Sequence, residues 1–404
     1  MRSGFVSIIG RPNAGKSTLV NALVGEKVAI VTSKPQTTRN RILGALEVPA
    51  KGKKPGAQIV FVDTPGVHKP GTQLDRRMMQ EVYDALEQRD VVVLLVDASR
   101  ELQLEAVEVH SLEEHASGPE GTLSSAALDA GDESPTHLEA AKEGSSQAGA
   151  AARRPDKKHR GRGFSGSEDD FVLGLVKKLD CPVFLVLNKI DLVRREELLA
   201  RIEALRQQAE FAEVLLISAR KRDGLELLVE KLVERLPQGE RYFPPEQFTD
   251  QPERFLVAEL IRERILMETG EEVPYAAAVV IERFEAPVMP AKAKKPRPVK
   301  GGGMIEPKLP VTKIAAAIYC ERDGQKAILI GKQGTKLKAI GTGARKEIES
   351  LLGTRVFLEL HVIVEPGWRE SRGFIDTLDW RRQLEGMAER QAENAEEPNP
   401  ESEK

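Results

Sequence analysis

The chain has 404 residues, of which 40% are hydrophobic and 30% are charged, with a formal net charge of −3. This length allows two domains that each bury a core. No apolar run is long enough to span a bilayer, and the first strand pattern begins so early that we expect no signal peptide. Cys181 and Cys320 lie far apart in apolar segments. We therefore predict buried, reduced thiols and a cytoplasmic protein without a transmembrane segment.

Strand and helix patterns alternate along residues 1–236. The runs that predict strands are 5–9, 42–48, 58–62, 91–96, 183–187 and 214–217. Several are apolar throughout, which indicates burial on both faces, and amphipathic stretches such as 195–208 and 225–236 lie between them. The alternation predicts an α/β domain whose mostly parallel sheet has helices on both faces.

One interval interrupts this alternation. Residues 110–170 are rich in Ser, Gly, Ala and charge, and they include the basic run RRPDKKHRGR. Such a segment cannot bury enough apolar surface to offset its loss of conformational entropy. We therefore predict a disordered insertion that ends at a helix over residues 171–179.

A second, smaller domain is predicted at residues 255–380, after a proline-containing linker at 237–254. Its patterns predict the order α-β-β-α-α-β. The elements are a helix at 255–268, strands at 275–283 and 313–321, a helix pair around IGKQG, and a strand at 355–364. Composition predicts a flexible insertion at 286–310 and a disordered acidic tail at 381–404.

The sequence GRPNAGKST, residues 10–18, separates the first strand from a helix start. This is the context of a P-loop, in which glycines let backbone N–H groups surround a phosphate at a helix N-terminus. Lys16 is expected to reach the β- and γ-phosphates, and Ser17 to bind Mg²⁺. The other loop residues predicted to contact the nucleotide are Asn13, Ala14, Gly15 and Thr18.

Two later motifs predict which nucleotide is bound. DTPG follows the third strand, where Asp63 can hold a Mg²⁺-bound water and Gly66 can contact phosphate. NKID follows the fifth strand, where Asp191 can accept two hydrogen bonds from guanine that adenine cannot offer. The other residues predicted around the base are Asn188, Lys189, Ser218 and Ala219.

These motifs, in this order, resemble those of the translation-factor class of GTPases. Residues 32–41, TSKPQTTRNR, lie where a mobile switch loop should close on the γ-phosphate, and the PQTTR stretch is similar to the Era branch of this class. The resemblance implies that Thr38, rather than its neighbour Thr37, binds Mg²⁺. It also implies that Asn13 helps to bind K⁺, which supplies charge that an arginine finger provides elsewhere.

Val67 occupies the position at which Ras-like GTPases carry the glutamine that orients the attacking water. Valine can neither donate nor accept that hydrogen bond. We therefore expect slow hydrolysis, accelerated by switch-loop backbone, an ion or a partner, and the catalytic side chain stays unassigned. A non-catalytic, nucleotide-responsive RNA scaffold stays open as an alternative.

The second domain contains a GxxG sequence, GKQG, in a strongly basic window. A GxxG loop between two helices lets KH domains approach single-stranded RNA, although glycines at this spacing also end helices. Residues 325–346 contain no acidic residue, and the element order matches a type II KH domain. The residues predicted to contact RNA are Gly331, Lys332, Gln333, Gly334, Lys336, Lys338 and Arg345.

The stretches FLVAELIRERIL, IGKQG and VEPGWRES resemble the C-terminal KH domain of the Era family. With the GTPase motifs, the resemblance covers nearly the whole chain except the insertions and the tail. It implies a ribosome-assembly GTPase that binds GTP, GDP and the 3′ end of small-subunit ribosomal RNA on the pre-ribosomal small subunit. It also implies peripheral contact with the inner face of the cell membrane. A GTPase of tRNA modification or large-subunit assembly, sharing only the first domain, stays open as an alternative.

Overall fold

The structure is a computed structural model. The residues that it describes are 1–52, 55–102, 167–270, 272–285, 287, 297–299, 303–305, 311–382 and 384. Among these residues, no helix is both long enough and apolar enough to cross a membrane.

The first domain is built on a six-stranded sheet. Its strands are β1 (Arg2–Ile9), β2 (Ile42–Val48), β3 (Ala57–Asp63), β4 (Val91–Asp97), β5 (Val183–Asn188) and β6 (Glu213–Leu216). They are ordered β2-β3-β1-β4-β5-β6, and every neighbouring pair is parallel except β2 and β3. The predicted, mostly parallel sheet is therefore confirmed.

Helices cover both faces of this sheet. They are α1 (Lys16–Val24), α2 (Gln73–Glu87), α3 (Glu168–Val176), α4 (Arg195–Arg206) and α5 (Leu225–Arg235). The first and last of these bury leucines against one face of the sheet, and the other three pack on the opposite face. The central strands are buried on both sides, which explains their continuous apolar runs.

The carboxyl ends of the parallel strands meet at one edge of the sheet. Ile8, near the end of β1, pairs with Asp63 at the end of β3, and Asp97 at the end of β4 pairs with Asn188 at the end of β5. Ligands bind outside the carboxyl ends of strands in open α/β sheets. Motifs far apart in the sequence are thus brought to one place.

The second domain has the predicted order α-β-β-α-α-β, to which two short helices and a pair of short strands are added. Its elements are α6 (Glu253–Glu268), α7 (Val273–Ala276), β7 (Ala278–Glu285), β8 (Arg297–Val299), β9 (Gly303–Ile305), β10 (Val311–Cys320), α8 (Asp323–Ile330), α9 (Thr335–Leu352), β11 (Arg355–Val364) and α10 (Arg372–Thr377). The sheet is ordered β11-β10-β7, and β8 pairs only with β9 among the described strands. Strand β7 begins three residues later than predicted because Pro274 opens the one-turn helix α7, where its missing N–H is not needed.

Two predicted boundaries were wrong. Helix α3 begins at Glu168, inside the predicted insertion, because Ser167 and Asp170 form a reciprocal capping box with hydrogen bonds of 2.9 and 3.1 Å. Arg381, assigned to the tail, is helical and donates to the carbonyl oxygen of Arg41 at 3.0 Å. The remaining parts of the predicted insertion at 110–170 and of the tail lie outside the described residues, apart from residues 382 and 384. So does the segment 286–310, apart from residue 287 and the β8–β9 pair.

Candidate nucleotide-binding site and its contacts with the second domain

The P-loop turns sharply between β1 and α1. Gly10, Asn13 and Gly15 have φ angles of 154°, 65° and 98°, in the region that favours glycine. A Cβ at Gly10 would overlap the carbonyl oxygen of Leu95, and one at Gly15 would overlap the side-chain amide of Asn188. The two glycines are therefore required by both backbone conformation and close packing.

Lys16 begins helix α1 and lies buried within the loop. Its Nζ donates to the carbonyl oxygens of Gly10 and Arg11, both at 3.0 Å. Burial lowers the pKa of Lys16 to about 8, against the opposing effect of the nearby Asp63 charge. The ammonium is thus held where the predicted phosphates would lie.

The three predicted Mg²⁺ residues converge on one point. The Oγ of Ser17 is 2.8 Å from Oγ1 of Thr38 and donates to Oδ2 of Asp63 at 2.6 Å, and Thr38 is 3.3 Å from the same carboxylate oxygen. Burial raises the pKa of Asp63 to about 6 in spite of these hydrogen bonds. Its Oδ1 is buried and has no partner among the described residues. An all-oxygen set with one unsatisfied carboxylate oxygen fits a hydrated Mg²⁺ ion.

The NKID residues connect the P-loop to the loop after β6. The side chain of Asn188 donates to the carbonyl oxygen of Ala14 and accepts from the amide of Ala219, both at 2.9 Å. Lys189 donates to the carbonyl oxygen of Asn13 at 2.8 Å and to Asp97 at 2.6 Å. These contacts fix the wall of the predicted base site.

Asp97 was missed in the sequence analysis. Its position at the end of β4, beside the end of β5, was the available signal.

Asp191 lies in a 3₁₀ turn, Ile190–Leu192. A hydrogen bond from Ser218 and the nearby charge of Lys221 lower the pKa of Asp191, so it stays an acceptor at neutral pH.

Val67 is fully buried and packs with the core. It does not line the phosphate pocket, which is the cavity lined by residues of the ranges 12–18 and 30–38 and by Gly66. Its backbone N–H donates to the carbonyl oxygen of Gly10 at 3.0 Å. The side chain therefore contributes packing to the sheet and nothing polar to the phosphates.

Arg39, at the end of PQTTR, inserts into the second domain. It donates to the carbonyl oxygens of Ala277 and Tyr275 at 2.9 and 3.2 Å. Burial, together with the nearby charge of Arg262, lowers the pKa of Arg39 to about 9. This role was not predicted, because nothing in the local sequence pattern distinguishes Arg39 from a surface arginine.

Two side chains of helix α6 contact the switch loop and the residues just before it. Arg262 donates to the carbonyl oxygen of Thr37 and pairs with Glu259. The buried Glu263 accepts from the backbone N–H of Val31 at 2.9 Å and from Lys27 at 2.6 Å. The switch loop is thus held between the P-loop and the second domain.

The GKQG residues form a tight turn between α8 and α9. Gly331, Gln333 and Gly334 have φ angles of 70°, 50° and 75°. A Cβ at Gly331 would lie 2.7 Å from Cβ of Lys336. Around the turn, Lys332, Lys338 and Arg345 are exposed and Lys336 is half-buried.

Comparisons with known proteins place both domains. The model of the family described as "50S ribosome-binding GTPase" matches residues 5–122, and the KH domain model matches residues 307–369. GTPase Era of Heliobacterium modesticaldum is 37% identical over 385 residues, which cover 95% of this chain and 99% of the relative. The chain belongs to the Era GTPase family. GTPase Era of Geobacter metallireducens is 38% identical over 379 residues, which cover 94% of this chain and 98% of the relative.

Solved Era structures are similar over the same span. An Era structure in complex with MgGDPNP and nucleotides 1506–1542 of 16S ribosomal RNA is 31% identical, with a TM-score of 0.68, and covers 94% of this chain and 98% of its own. An Aquifex aeolicus Era variant bound to GDP and AlF4⁻ has the same identity and TM-score, and 99% of its chain is covered. The predicted family, the GTPase domain followed by a KH domain, and the classification as a GTP hydrolase are confirmed.

Proposed function

We propose that this protein is a GTP-dependent switch that binds small-subunit ribosomal RNA near its 3′ end and assists maturation of the small subunit. Family membership supports the proposal, as does the related Era structure with a GTP analogue and 16S RNA. The observation that carries it is that Thr38, in the Mg²⁺ set, and Arg39, inside the KH domain, are consecutive residues. One peptide unit therefore joins the nucleotide site to the RNA-binding domain.

In this proposal, Ser17, Thr38 and Asp63 hold Mg²⁺, directly or through water. When bound, the ion neutralises charge on the β- and γ-phosphates. Lys16 exchanges its loop carbonyls for phosphate oxygens, and Asp191 accepts from guanine. The proposed nucleotide contacts from the rest of the site are Asn13, Ala14, Gly15, Thr18, Gly66, Asn188, Lys189, Ser218 and Ala219.

Asn13 is also the proposed K⁺ residue. Its side-chain nitrogen donates to the carbonyl oxygen of Ser33 at 3.0 Å, so the amide links the P-loop to the switch loop. An amide oxygen is a suitable ligand for a hard monovalent cation. Faster phosphate release in K⁺ than in Na⁺, abolished by Asn13→Ala, would support this role; equal rates in the two salts would exclude it.

The coupling between the sites follows from the switch-loop contacts. Once the γ-phosphate is lost, Thr38 is no longer held beside Ser17 and Asp63. Because Arg39 is the next residue, movement of Thr38 displaces Arg39 from the KH domain. Order–disorder changes of this kind are the usual response of GTPase switch loops to hydrolysis. The GTP state is thus the one in which the KH domain is held in place.

The RNA surface is proposed at the GKQG turn and along α9. Basic side chains that have no acidic neighbours are expected to bind the phosphates of the RNA backbone. Glu347, the nearest acid on this helix, pairs with Lys27 and Arg264 instead. Four phosphate contacts would make log affinity fall with log salt at a slope of about −3. The proposed contacts are Gly331, Lys332, Gln333, Gly334, Lys336, Lys338 and Arg345.

The proposal is tested with an oligonucleotide that has the 3′-end sequence of small-subunit ribosomal RNA. Its affinity is measured by fluorescence anisotropy with GDP and with a non-hydrolysable GTP analogue, on protein shown to bind both nucleotides. We expect tighter binding with the analogue. Equal affinities would exclude the coupling, and crosslinks that bypass Lys332 and Lys336 would favour a GTPase of tRNA modification or the large subunit.

Single-turnover assays separate the switch from the scaffold alternative. Phosphate release above background with K⁺ and RNA supports the switch, whereas no release supports a nucleotide-responsive scaffold. Cytoplasmic location is proposed from the two cysteines, which are predicted to be reduced, and peripheral contact with the inner face of the cell membrane is proposed from the family resemblance alone. Co-sedimentation with vesicles of bacterial lipid tests the membrane contact.

A further inference from the structure

Few polar side chains of the switch loop are available to the reacting water. The phosphate pocket is lined from this loop by Thr32, Gln36, Thr37 and Thr38. The hydroxyls of Thr32 and Thr37 bond to each other at 2.7 Å, and Thr37 also donates to the carbonyl oxygen of Lys34 at 2.7 Å. Thr38 belongs to the Mg²⁺ set. Within the described switch loop, Gln36 is the pocket-lining side chain that remains.

Gln36 is held in an unusual conformation. Its φ of 56° lies in the left-handed region, which is uncommon for a residue other than glycine and recurs at functional sites. Its Nε2 donates to Oδ1 of Asp75 at 3.1 Å. Because a carboxylate oxygen only accepts, the amide nitrogen must face Asp75 and the amide oxygen is left as an acceptor. No described residue donates a hydrogen bond to that oxygen.

Asp75 is itself fixed by the start of helix α2. Its Oδ2 accepts from the backbone N–H and hydroxyl of Thr72, both at 2.9 Å, and from the N–H of Gly71 at 3.1 Å. Burial opposes ionisation, but hydrogen bonds from His68, Thr72 and Gly71 hold the pKa of Asp75 well below its ordinary value. The anchor of Gln36 is therefore a charged, immobile carboxylate.

His68 connects this anchor to the phosphate pocket. Its Nε2 lies 3.1 Å from Oδ1 of Asp75, and its Nδ1 lies 2.7 Å from the carbonyl oxygen of Gly66. Gly66 also lines the phosphate pocket. Both ring nitrogens face acceptors, and the hydrogen bond to Asp75 raises the pKa of His68. A continuous chain of hydrogen bonds thus runs from Gly66 through His68 and Asp75 to Gln36.

We infer that Gln36 supplies the amide that Val67 does not, so that its side-chain oxygen accepts a hydrogen bond from the water that attacks GTP. This inference rests on the proposed GTP hydrolysis. The water oxygen forms a bond to the γ-phosphorus while the bond to the β–γ bridging oxygen breaks. The electron pair of the broken bond stays on GDP, and the water proton ends on the released phosphate. Gln36 orients the water without taking its proton, and His68 and Asp75 are positioning residues.

The test compares Gln36→Ala with wild type in single-turnover GTP hydrolysis, with GTP affinity measured separately with a fluorescent analogue. We expect the hydrolysis rate to fall about 10- to 100-fold, while GTP affinity changes by less than about twofold. Gln80→Ala is the matched control, because Gln80 makes the same type of hydrogen bond to Asp84, at 2.7 Å, on the exposed face of α2. Its rate should equal that of wild type.

A double variant tests whether the cluster acts as a unit. Gln36→Ala with His68→Ala should lose no more rate than Gln36→Ala alone, because the positioning residue acts through Gln36. Thermal unfolding of each variant, with GTP present, checks that the fold is kept.

Three results would overturn the inference. One is a Gln36→Ala rate within about twofold of wild type at saturating GTP. Another is additive losses in the double variant, and a third is a loss of GTP affinity with an unchanged rate. Absence of phosphate release by the wild type would instead overturn the proposed function, and this inference with it.

Discussion

The guanidinium of Arg39 lies 5.6 Å from the centre of the Trp368 ring. The two side chains bond to neighbouring carbonyls of one short segment, since the Trp368 indole donates to Ala276 at 2.9 Å and Arg39 donates to Ala277 at 2.9 Å. Arg39 belongs to the GTPase domain and Trp368 to the KH domain. The Arg39 side chain is thus buried in the KH domain, although the residue belongs to the GTPase domain.

Replacement of Arg39 should uncouple RNA binding from the nucleotide. In Arg39→Ala, we expect the ratio of RNA affinities with GTP analogue and GDP to fall to within about twofold, because charge-assisted hydrogen bonds between the domains are lost. GTP affinity should change little, since the guanidinium of Arg39 bonds to carbonyl oxygens of the KH domain and does not line the phosphate pocket. Anisotropy titrations with both nucleotides measure the ratio. Arg206→Ala, on the exposed side of α4, is the control, and an unchanged ratio in Arg39→Ala would contradict the prediction.

Asp191→Asn should change the preferred base. The asparagine can no longer accept two hydrogen bonds from guanine, so GTP affinity should fall about 10²-fold. Xanthosine triphosphate, which carries a carbonyl where guanine has an amino group, should bind the variant more tightly than it binds wild type, because the amide can donate to that carbonyl whereas the carboxylate repels it. Competition against a fluorescent GTP analogue measures both. The same change in affinity for both nucleotides would show that Asp191 does not contact the base edge.

The His68–Asp75 pair should stabilise the protein more at low pH than at high pH. The pKa of His68 is raised in the folded state, so its contribution is complete below its ordinary value of about 6.5 and is lost as the pH rises through the raised value. His68→Gln should therefore lower the urea midpoint more at about pH 6 than at about pH 9. Fluorescence of the two tryptophans reports unfolding. The same loss at both values would rule out a titrating pair.

Gly331→Ala should damage the GKQG turn. Its added Cβ would lie 2.7 Å from Cβ of Lys336, and φ at this residue is 70°. We expect RNA affinity to fall about tenfold or more, because strain of about 1–3 kcal/mol displaces the turn. Gly353→Asn is the matched control, since φ there is 63°, which asparagine tolerates, and a Cβ would meet open space. RNA affinity equal to that of wild type would show that the turn does not contact RNA.

Much of the fold and of the nucleotide site could be predicted because local patterns specify them. Apolar runs set the strands, and parallel strands bring their carboxyl ends together, which placed Lys16, Asp63 and Asn188 correctly at one edge. The start of α3 was predicted three residues too late, although Ser167 and Asp170 have the spacing of a capping box before an apolar run and so carried the signal.

The contacts between residues far apart in the sequence could not be predicted in this way. Arg39, Glu263 and Gln36 acquire their roles from residues more than 30 positions away, through the docking of complete elements. A sequence shows that an arginine follows a threonine, but it does not show that the two side chains enter different domains.

The adjacency of Thr38 and Arg39 has a thermodynamic consequence. Successive Cα atoms are only about 3.8 Å apart, so neither residue can move far without the other. Binding equilibria linked in this way are reciprocal, and RNA must tighten GTP binding by the same factor by which GTP tightens RNA binding. In the proposed switch, bound RNA therefore retains the nucleotide that keeps the RNA bound. Cleavage of GTP, rather than its dissociation, would then set how long the protein remains on the RNA.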